Sequence, residues 1–477
     1  MTTDADRYDT WRRRLDSYDQ SHLLAFWDEL DDAQRAMLLD DLEQIDFERC
    51  ATLIDTLVRQ RPKISLPHDL QPAPAYPAEP DENLAALYAR ARRRGEEAIA
   101  RGQVAAFTVA GGQGTRLGYD GPKGGFPITP IRNACLFQVF AEYLRGVERR
   151  WGRRPRWYIM TSPLNHEATI RVFEQHAFFG LDPDEIMFFP QGQMPAFWPD
   201  GRIALAEKHR VALGPDGHGG SLRALAASGA LADMRARGIE HISYFQVDNP
   251  LVRPIDPLFC GLHIETGSEM SSKAVRKADD LERVGNFCIA DGRLTVIEYT
   301  DLPDELAHAR NADGSRRFDA GSIAIHVLSR AFVERLTAAG AAERLPWHRA
   351  EKKLAVIDEH GRRIEPAEPN VVKLETFVFD AIPLAHHPLV LYTRRQEEFS
   401  PVKNLDGVDS AVTARRDLIR RAARWLEHCG CSVPRDARGE PALPIEISPA
   451  RALDADDLCA QLAAPPTLVA GEAFLLV

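Results

Sequence analysis

Residues 106–128, AFTVAGGQGTRLGYDGPKGGFPI, are the stretch best suited to chemistry. A short apolar run ends at Ala110 and gives way to Gly111, Gly112, Gln113, Gly114, Thr115, Arg116, Leu117 and Gly118. Glycines this dense permit positive backbone angles and let successive N–H groups approach an anion with no Cβ in the way. The string could be no more than a tight strand-to-helix turn, and two familiar phosphate loops do not fit it. A Walker A loop needs Gly-x4-Gly-Lys-Ser/Thr, which does not occur. A dinucleotide fingerprint read from Gly112 would need glycine at position 117, which is Leu117, and Pro122 and Pro127 prevent a helix from starting promptly. What remains is a backbone cradle for a nucleoside triphosphate. Arg116 and Lys123 stand where charge builds up in phosphoryl or nucleotidyl transfer.

Asp248 ends the run HISYFQV (241–247). The carboxyl end of a parallel strand is where open α/β sheets place ligands. Mg2+ takes one or two carboxylates together with substrate phosphates, which makes Asp248, with Asn249 beside it, the metal candidate. The plainer reading is an aspartate capping the turn before Pro250. A second glycine-rich loop, Gly214-Pro-Asp-Gly-His-Gly-Gly220, would otherwise be an ordinary turn. No Ser-His-Asp or Cys-His arrangement suggests a nucleophile.

The elements that must position these groups read as α/β. Strands are expected at 103–109, 157–161, 186–190 and 241–247, alternating with helices at about 133–150, 165–178 and 221–237, the pattern of a mostly parallel sheet. From 284 to 330 strands follow closely, as in an antiparallel or mixed extension. Residues 5 to about 60 read as short helices, with Asp31 or Asp32 capping one and Gln34 near its third position. Six prolines in 61–81 forbid a regular helix and imply an extended connector draped on the surface. A helix follows to about 101, a basic helix comes after 404, and IEISP and EAFLLV read as short strands. The expected organisation is a helical N-terminal region with the connector over 1–95, a nucleotidyltransferase domain over 96–395 and a small C-terminal domain over 396–477.

At 477 residues the chain exceeds one core, and its 44% hydrophobic and 27% charged residues are those of a globular protein. A net charge of −11 argues against wrapping nucleic acid, and the arginine–tryptophan mixture at 147–157 reads as a solvated helix end. No apolar run is long enough to span a membrane, and the start MTTDADRYDTWRRR has no apolar signal core. The seven scattered cysteines are expected to be reduced thiols in a cytoplasmic protein, and Cys429-Gly-Cys431 lacks zinc-ligand companions. Only nine of the 59 basic residues are lysine (63, 123, 208, 273, 277, 352, 353, 373 and 403), so each retained lysine stands out.

The loop Gly-Gly-x-Gly-Thr-Arg-Leu-Gly-x4-Pro-Lys resembles the signature of sugar-nucleotide pyrophosphorylases. Further strings agree in order: FFPQGQMPAF (188–197), GPDGHGGSLRAL (214–225), YFQVDNPLVRPIDPLFCG (244–261), VGNF…VIEYTDL (284–302), FDAGSIAIH (318–326), LPWHRAEKK (345–353), VVKLETFVFDAIPLA (371–385), EEFSPVKN (397–404) and IEISP (445–449). Over roughly 80–477 the chain resembles the eukaryotic-type UDP-N-acetylglucosamine pyrophosphorylases, within the UTP-dependent family that also holds the UDP-glucose enzymes. The resemblance implies a Rossmann-like nucleotide-diphospho-sugar transferase fold with a central mixed, mostly parallel sheet. It also implies transfer of uridylyl from UTP to a sugar 1-phosphate, Mg2+ as cofactor, and a monomer or weak homodimer.

Carried over residue by residue, it gives Ala110, Gly111, Gly112, Gly114, Gln191, Gly217 and Asp248 to UTP. An amide such as Gln191 offers a donor and an acceptor to the uracil imide edge. Arg116, Lys123 and Lys373 become the catalytic cations. His218, Glu298, Tyr299, Gly321 and Lys403 fall to the sugar phosphate, Asp248 to the metal, and Asp380 is a second acidic group near it. Two departures touch the sugar. The acetylamino-sugar pattern Pro-Asp-Gly-Asn-Gly-Gly has His218 here, as the UDP-glucose enzymes do, and Phe-Asn-Ala-Gly-Asn appears as Phe318-Asp319-Ala320-Gly321-Ser322. The IEISP tail, the KLETFVFD string and the short C-terminal region favour N-acetylglucosamine 1-phosphate; glucose 1-phosphate is the alternative. A non-catalytic sensor of the same fold would be signalled by loss of Arg116, Lys123 or Asp248, and all three are present.

Overall fold

The computed structural model describes residues 4–61, 69–338 and 345–477. Chain contacts divide it into two compact units. The smaller gathers residues up to 66 with 191–221 and 345–378; the larger holds 67–190, 222–344 and 379–477.

The larger unit is built on a ten-stranded sheet. Its strands are β1 (Leu70–Pro72), β2 (Val104–Val109), β3 (Trp157–Thr161), β4 (Ile186–Pro190), β5 (His241–Gln246), β6 (Met270–Arg276), β7 (Asn286–Ala290), β8 (Arg293–Ile297), β9 (Ala320–Ser329) and β10 (Leu389–Tyr392). The path runs β1-β7-β9-β5-β2-β3-β4, with β8 on β7 and the β6–β10 pair on β9. β5, β2, β3 and β4 are parallel neighbours; the residues of β5, β2 and β3 are almost wholly buried, as strands covered on both faces must be, while β4 at the edge is partly open. The antiparallel extension expected after residue 284 is the β7–β8 hairpin with β9. β2 lies between β3 and β5, so the chain leaves it toward one side and returns on the other. The carboxyl ends of β2 and β5 therefore flank a topological switch point, where such sheets bind ligands.

Several details differ from expectation. The proline-rich connector is more than a draped strand. Beyond 62–68, which lie outside the described residues, β1 joins the sheet edge against β7 and Tyr76 bridges to Leu391. Pro72 is tolerated there because an edge strand has a side with no ladder to donate to. The helix expected over 221–237 is two, Gly220–Ala227 and Ala230–Ala236, broken where Gly229 takes φ +82°. As expected, a helix, α1 (Glu82–Ala100), follows the connector; it packs on α4 (Pro257–Glu265). Between these lie α2 (Leu136–Trp151) and α3 (His166–Gln175).

After α5 (Ala411–His428), residues 431–476 build a small core around Trp425, Leu426, Leu443, Ile445 and Leu458, with strands Ile445–Ile447 and Phe474–Leu476 paired in parallel. The IEISP string is there for Glu446. Its carboxylate accepts the backbone amides of Ile131 and Arg132 at 2.8 and 2.9 Å and the Arg132 Nε at 2.6 Å, tying the tail to the segment that follows the phosphate loop. The expectation of seven free thiols is corrected. Cys429, just past α5, is disulfide-bonded to Cys459 in α6 (Ala455–Gln461), their Cα atoms 5.1 Å apart, and the other five cysteines are free and buried. Sequence spacing drew attention to Cys431, whereas the helix packing places Cys459 opposite.

In the smaller unit, Trp11, Leu15, Trp27, Leu38 and Phe47 from the N-terminal helices share one core with Phe197, Ile203, Val372 and Leu374. The helix Asp32–Glu43 starts with the reciprocal Asp31–Gln34 capping box foreseen from the sequence. Asp41, 2% exposed, takes Arg210 at 2.8 and 3.0 Å and the Val211 amide at 2.9 Å. Among the described residues no helix is long and apolar enough to cross a membrane.

Candidate active site

The glycine-rich loop leaves β2 with Ala110 still in the ladder, its amide on the Met160 carbonyl at 2.7 Å. The loop folds back on itself through Gly114 N–H to Gly121 O (2.9 Å) and Lys123 N–H to Gly112 O (3.0 Å). Thr115–Leu117 make one 3-10 turn, closed by Gly118 at φ +65°. Gly114 must be glycine, since a Cβ there would lie 2.7 Å from the Tyr119 ring. Behind the loop, the wholly buried Asn165 donates to the carbonyls of Ala110 (2.9 Å) and Gly112 (3.1 Å). With both carbonyls held at the back, the amides of Gly111, Gly112 and Gln113 donate to no acceptor among the described residues. Three such amides in a row are an anion cradle. Arg116 is exposed on the 3-10 turn and has no ion pair among the described residues.

Lys123 reaches back along Gly112 toward the end of β5, its Nζ 3.7 Å from Asp248 Oδ2. Asp248 in turn accepts the Val402 amide on its carbonyl at 2.8 Å, which sets Lys403, the next residue, beside the same strand end. Asn249 pins that segment further, donating to Glu398 O at 2.7 Å and accepting the Ser400 amide at 3.1 Å. The loop, Lys123, Asp248 and the Lys403 segment thus gather at the switch point.

Glu298, Tyr299 and Gly321 form a second group at the ends of β7, β8 and β9. Asn286 faces Gly321 across the ladder, and a Cβ on Gly321 would meet Val284 at 2.8 Å. Asp319, where the acetylamino-sugar pattern has asparagine, is held by Arg276 at 2.9 Å and the Lys277 amide at 3.2 Å, so its charge is matched within the chain. A cavity of about 1310 Å³ opens beside Pro401 and Asp409 and is lined by six arginines. Each is already paired with a carboxylate, unlike Arg116.

The smaller unit carries Gln191, Gly217, His218 and Lys373. Its glycine loop is zipped onto Thr376, through Gly219 N–H to Thr376 O (2.8 Å) and Thr376 N–H to Asp216 O (2.9 Å). Gly217 sits at φ +83°, and a Cβ there would lie 2.3 Å from the Thr376 oxygen. His218 Nδ1 accepts the Val378 amide at 3.1 Å, which puts the neutral ring's proton on Nε2. Its ring stacks on Phe377, which stacks on His348. Desolvation, and secondarily His348, push the His218 pKa down to about 4. Lys373 is likewise lowered by burial, against the pull of Glu375, and its amine lies over Gly214. Gln191 is buried at 8% exposure.

Sequence reasoning missed Asn165, Thr376 and Phe377. Thr376 and Phe377 lie inside the KLETFVFD string and could have been read with it. Asn165 sits in no quoted motif; only its place one residue before a helix start hinted at a role.

Comparison with known proteins identifies the family and the fold. The profile of the UTP–glucose-1-phosphate uridylyltransferase family matches residues 67–428. A Xenopus tropicalis UDP-N-acetylhexosamine pyrophosphorylase-like protein 1 is 35% identical over 471 residues, covering 93% of this chain and 92% of its own. The UDP-N-acetylglucosamine pyrophosphorylase of Saccharomyces cerevisiae is 35% identical over 431 residues, 87% and 90% of the two chains. The structure of the Trypanosoma brucei uridine diphosphate N-acetylglucosamine pyrophosphorylase in complex with inhibitor superposes with a TM-score of 0.79 at 26% identity, covering 100% of this chain and 99% of that one.

Proposed function

The chain belongs to the UTP–glucose-1-phosphate uridylyltransferase family, and from that premise we propose that it joins UTP to N-acetylglucosamine 1-phosphate, releasing pyrophosphate. The observation that carries the proposal is the Lys123–Asp248 pair, 3.7 Å apart, beside a loop with three successive amides that donate to no acceptor among the described residues.

An oxygen of the sugar phosphate attacks the α-phosphorus of UTP in line. The new O–P bond forms as the bond to the β-phosphate breaks, and pyrophosphate carries away the electron pair. The nucleophile is ionised at neutral pH and needs no general base. Gly111, Gly112 and Gln113 cradle the triphosphate, Arg116, Lys123 and Lys373 neutralise the charge that moves toward the leaving group, and Lys403 holds the sugar phosphate. Gln191 and Gly217 are assigned to the uridine, and Glu298, Tyr299 and Gly321 to the sugar. Among the described residues no three acidic, histidine or cysteine side chains gather to hold a metal, so a divalent cation would rest on Asp248 and on substrate phosphates. That donor set fits Mg2+, which supplies charge neutralisation on the phosphate oxygens when bound.

The relatives named for N-acetylhexosamine or N-acetylglucosamine favour that sugar. His218 favours a second reading, glucose 1-phosphate, because it replaces an amide by a ring offering only the Nε2 donor. Pyrophosphate release from UTP with a panel of sugar 1-phosphates tests both. The proposal expects the highest kcat/KM with N-acetylglucosamine 1-phosphate. Tenfold faster use of glucose 1-phosphate would reverse the sugar, and no release with any sugar would end the enzymatic reading.

A further inference from the structure

We infer that Asn165 is a positioning residue for the phosphate loop: it turns the loop's amides toward UTP by holding its carbonyls from behind. The inference rests on the uridylyltransferase reading above and adds to it a residue outside the loop and outside the strings on which the resemblance was drawn.

Every polar atom of Asn165 is committed. The side-chain oxygen accepts from the Ser162 amide at 2.8 Å and the Ser162 hydroxyl at 3.0 Å, and the side-chain nitrogen donates to Ala110 O and Gly112 O. The main-chain N–H and C=O bond to Ser162 and Thr169. This fixes the amide's orientation without ambiguity. A backbone N–H can only donate and backbone carbonyls can only accept, so the group between them needs an acceptor on one side and two donors on the other. Among side chains of this length only asparagine supplies that. Aspartate would keep one oxygen at Ser162 and turn the other, a third acceptor, against the two carbonyl oxygens.

The position is also unusual for asparagine. Asn165 is the residue before α3, where its side chain would ordinarily accept from that helix's own first amides. No such bond is made; the cap is given up for the loop. The Gly112 carbonyl takes both Asn165 and the Lys123 amide, so the same contact registers the backbone of the catalytic lysine. A peptide plane whose carbonyl is anchored cannot flip, and anchoring Ala110 O and Gly112 O sets the N–H groups of Gly111 and Gln113, the other ends of those two planes.

Full-length Asn165→Asp and Asn165→Ala proteins are compared with the unaltered chain by pyrophosphate release, varying UTP and sugar 1-phosphate in turn, and by calorimetric titration with UTP. We expect kcat/KM for UTP to fall on the order of 30- to 100-fold, as for loss of two buried hydrogen bonds, with the UTP Kd weakened in step. The KM for sugar 1-phosphate should stay within about threefold, less than one such bond is worth. Thr169→Val, which alters a buried hydroxyl of α3 that has no hydrogen-bond partner among the described residues, should change neither constant. Wild-type UTP affinity in either Asn165 variant overturns the inference. So does an equal loss for both substrates, or the same loss from Thr169→Val, because each marks a merely structural role. If the aspartate variant does not fold, the alanine variant, which places no charge against the carbonyls, decides. If the unaltered chain turns over no sugar 1-phosphate, the function proposed above fails, and the UTP titrations still decide Asn165.

Discussion

Exchanging Lys123 for glutamine should leave the fold standing and remove most of the turnover. The amine lies 3.7 Å from Asp248, with 17% and 12% of the two side chains exposed. At an effective dielectric constant of about 20, two unit charges at this distance attract by about 4 kcal/mol, but most of that is offset by the desolvation both have undergone. Exposed pairs are worth under about 1 kcal/mol and fully buried ones cost about 3–5 kcal/mol to break; this one is mostly covered but opens onto the loop, so its loss should cost about 1–2 kcal/mol in stability. In a chain this long that is a shift of about 2 °C or less in Tm. The barrier is a different matter. A cation aimed at charge that develops only in the transition state is worth about 3–4 kcal/mol, or 10²- to 10³-fold in kcat. The two effects differ enough to be separated by one melting curve and one pyrophosphate-release assay at saturating substrates. Lys123→Arg keeps the charge but brings a wider planar fork alongside Gly112, where a Cβ would already lie 3.6 Å from the Lys123 side chain. It should recover only part of the loss. A glutamine variant with unchanged Tm and kcat within about threefold of wild type would refute the role of Lys123.

His218, with its pKa pushed down to about 4, is neutral throughout the working range, so it adds no inflection of its own: the pH profile of kcat/KM for sugar 1-phosphate between about pH 5.5 and 8, which the substrate's phosphate bends near pH 6, should have the same shape in wild type and His218→Asn. An inflection near pH 6.5 that vanishes in His218→Asn would contradict this. His263 is wholly buried between the Ser271 and Ser329 hydroxyls, and burial, aided by His241, holds its pKa well below 6.5. Below pH 6.5 the unfolded chain therefore binds a proton that the folded chain refuses, and stability falls as pH drops, by up to about 1.4 kcal/mol per unit. His263→Gln should flatten Tm between pH 7 and 5.5, and an equally steep slope in the variant would count against it. Denatured but unreduced protein should titrate five thiols, rising to seven on reduction; seven before reduction would remove the Cys429–Cys459 bond.

The sheet was legible because buried parallel strands are short apolar runs alternating with helical periods, and 104–109, 157–161, 186–190 and 241–246 are all of that kind. The glycine loop was legible because Gly111, Gly112 and Gly114 are a chemical statement on their own. Asn165 was not, because a helix-capping asparagine and a loop-clamping one are the same letter, and only the partner atoms tell them apart. Glu446 shows the same limit, since IEISP marked a resemblance without revealing that its glutamate serves two backbone amides and Arg132. Cys459 escaped because disulfide partners are set by helix packing across 30 residues rather than by spacing.

The smaller unit has a consequence for synthesis. Trp11, Leu15, Trp27 and Phe47 share their core with Val372 and Leu374, so these residues cannot be fully buried until more than three hundred further residues have been translated. At about 5–20 residues per second that is a wait of roughly 15–60 seconds with apolar helices exposed on the ribosome. Apolar surface left open for that long is prone to aggregation, so the yield in a host should respond to translation speed as well as to the stability of the finished protein.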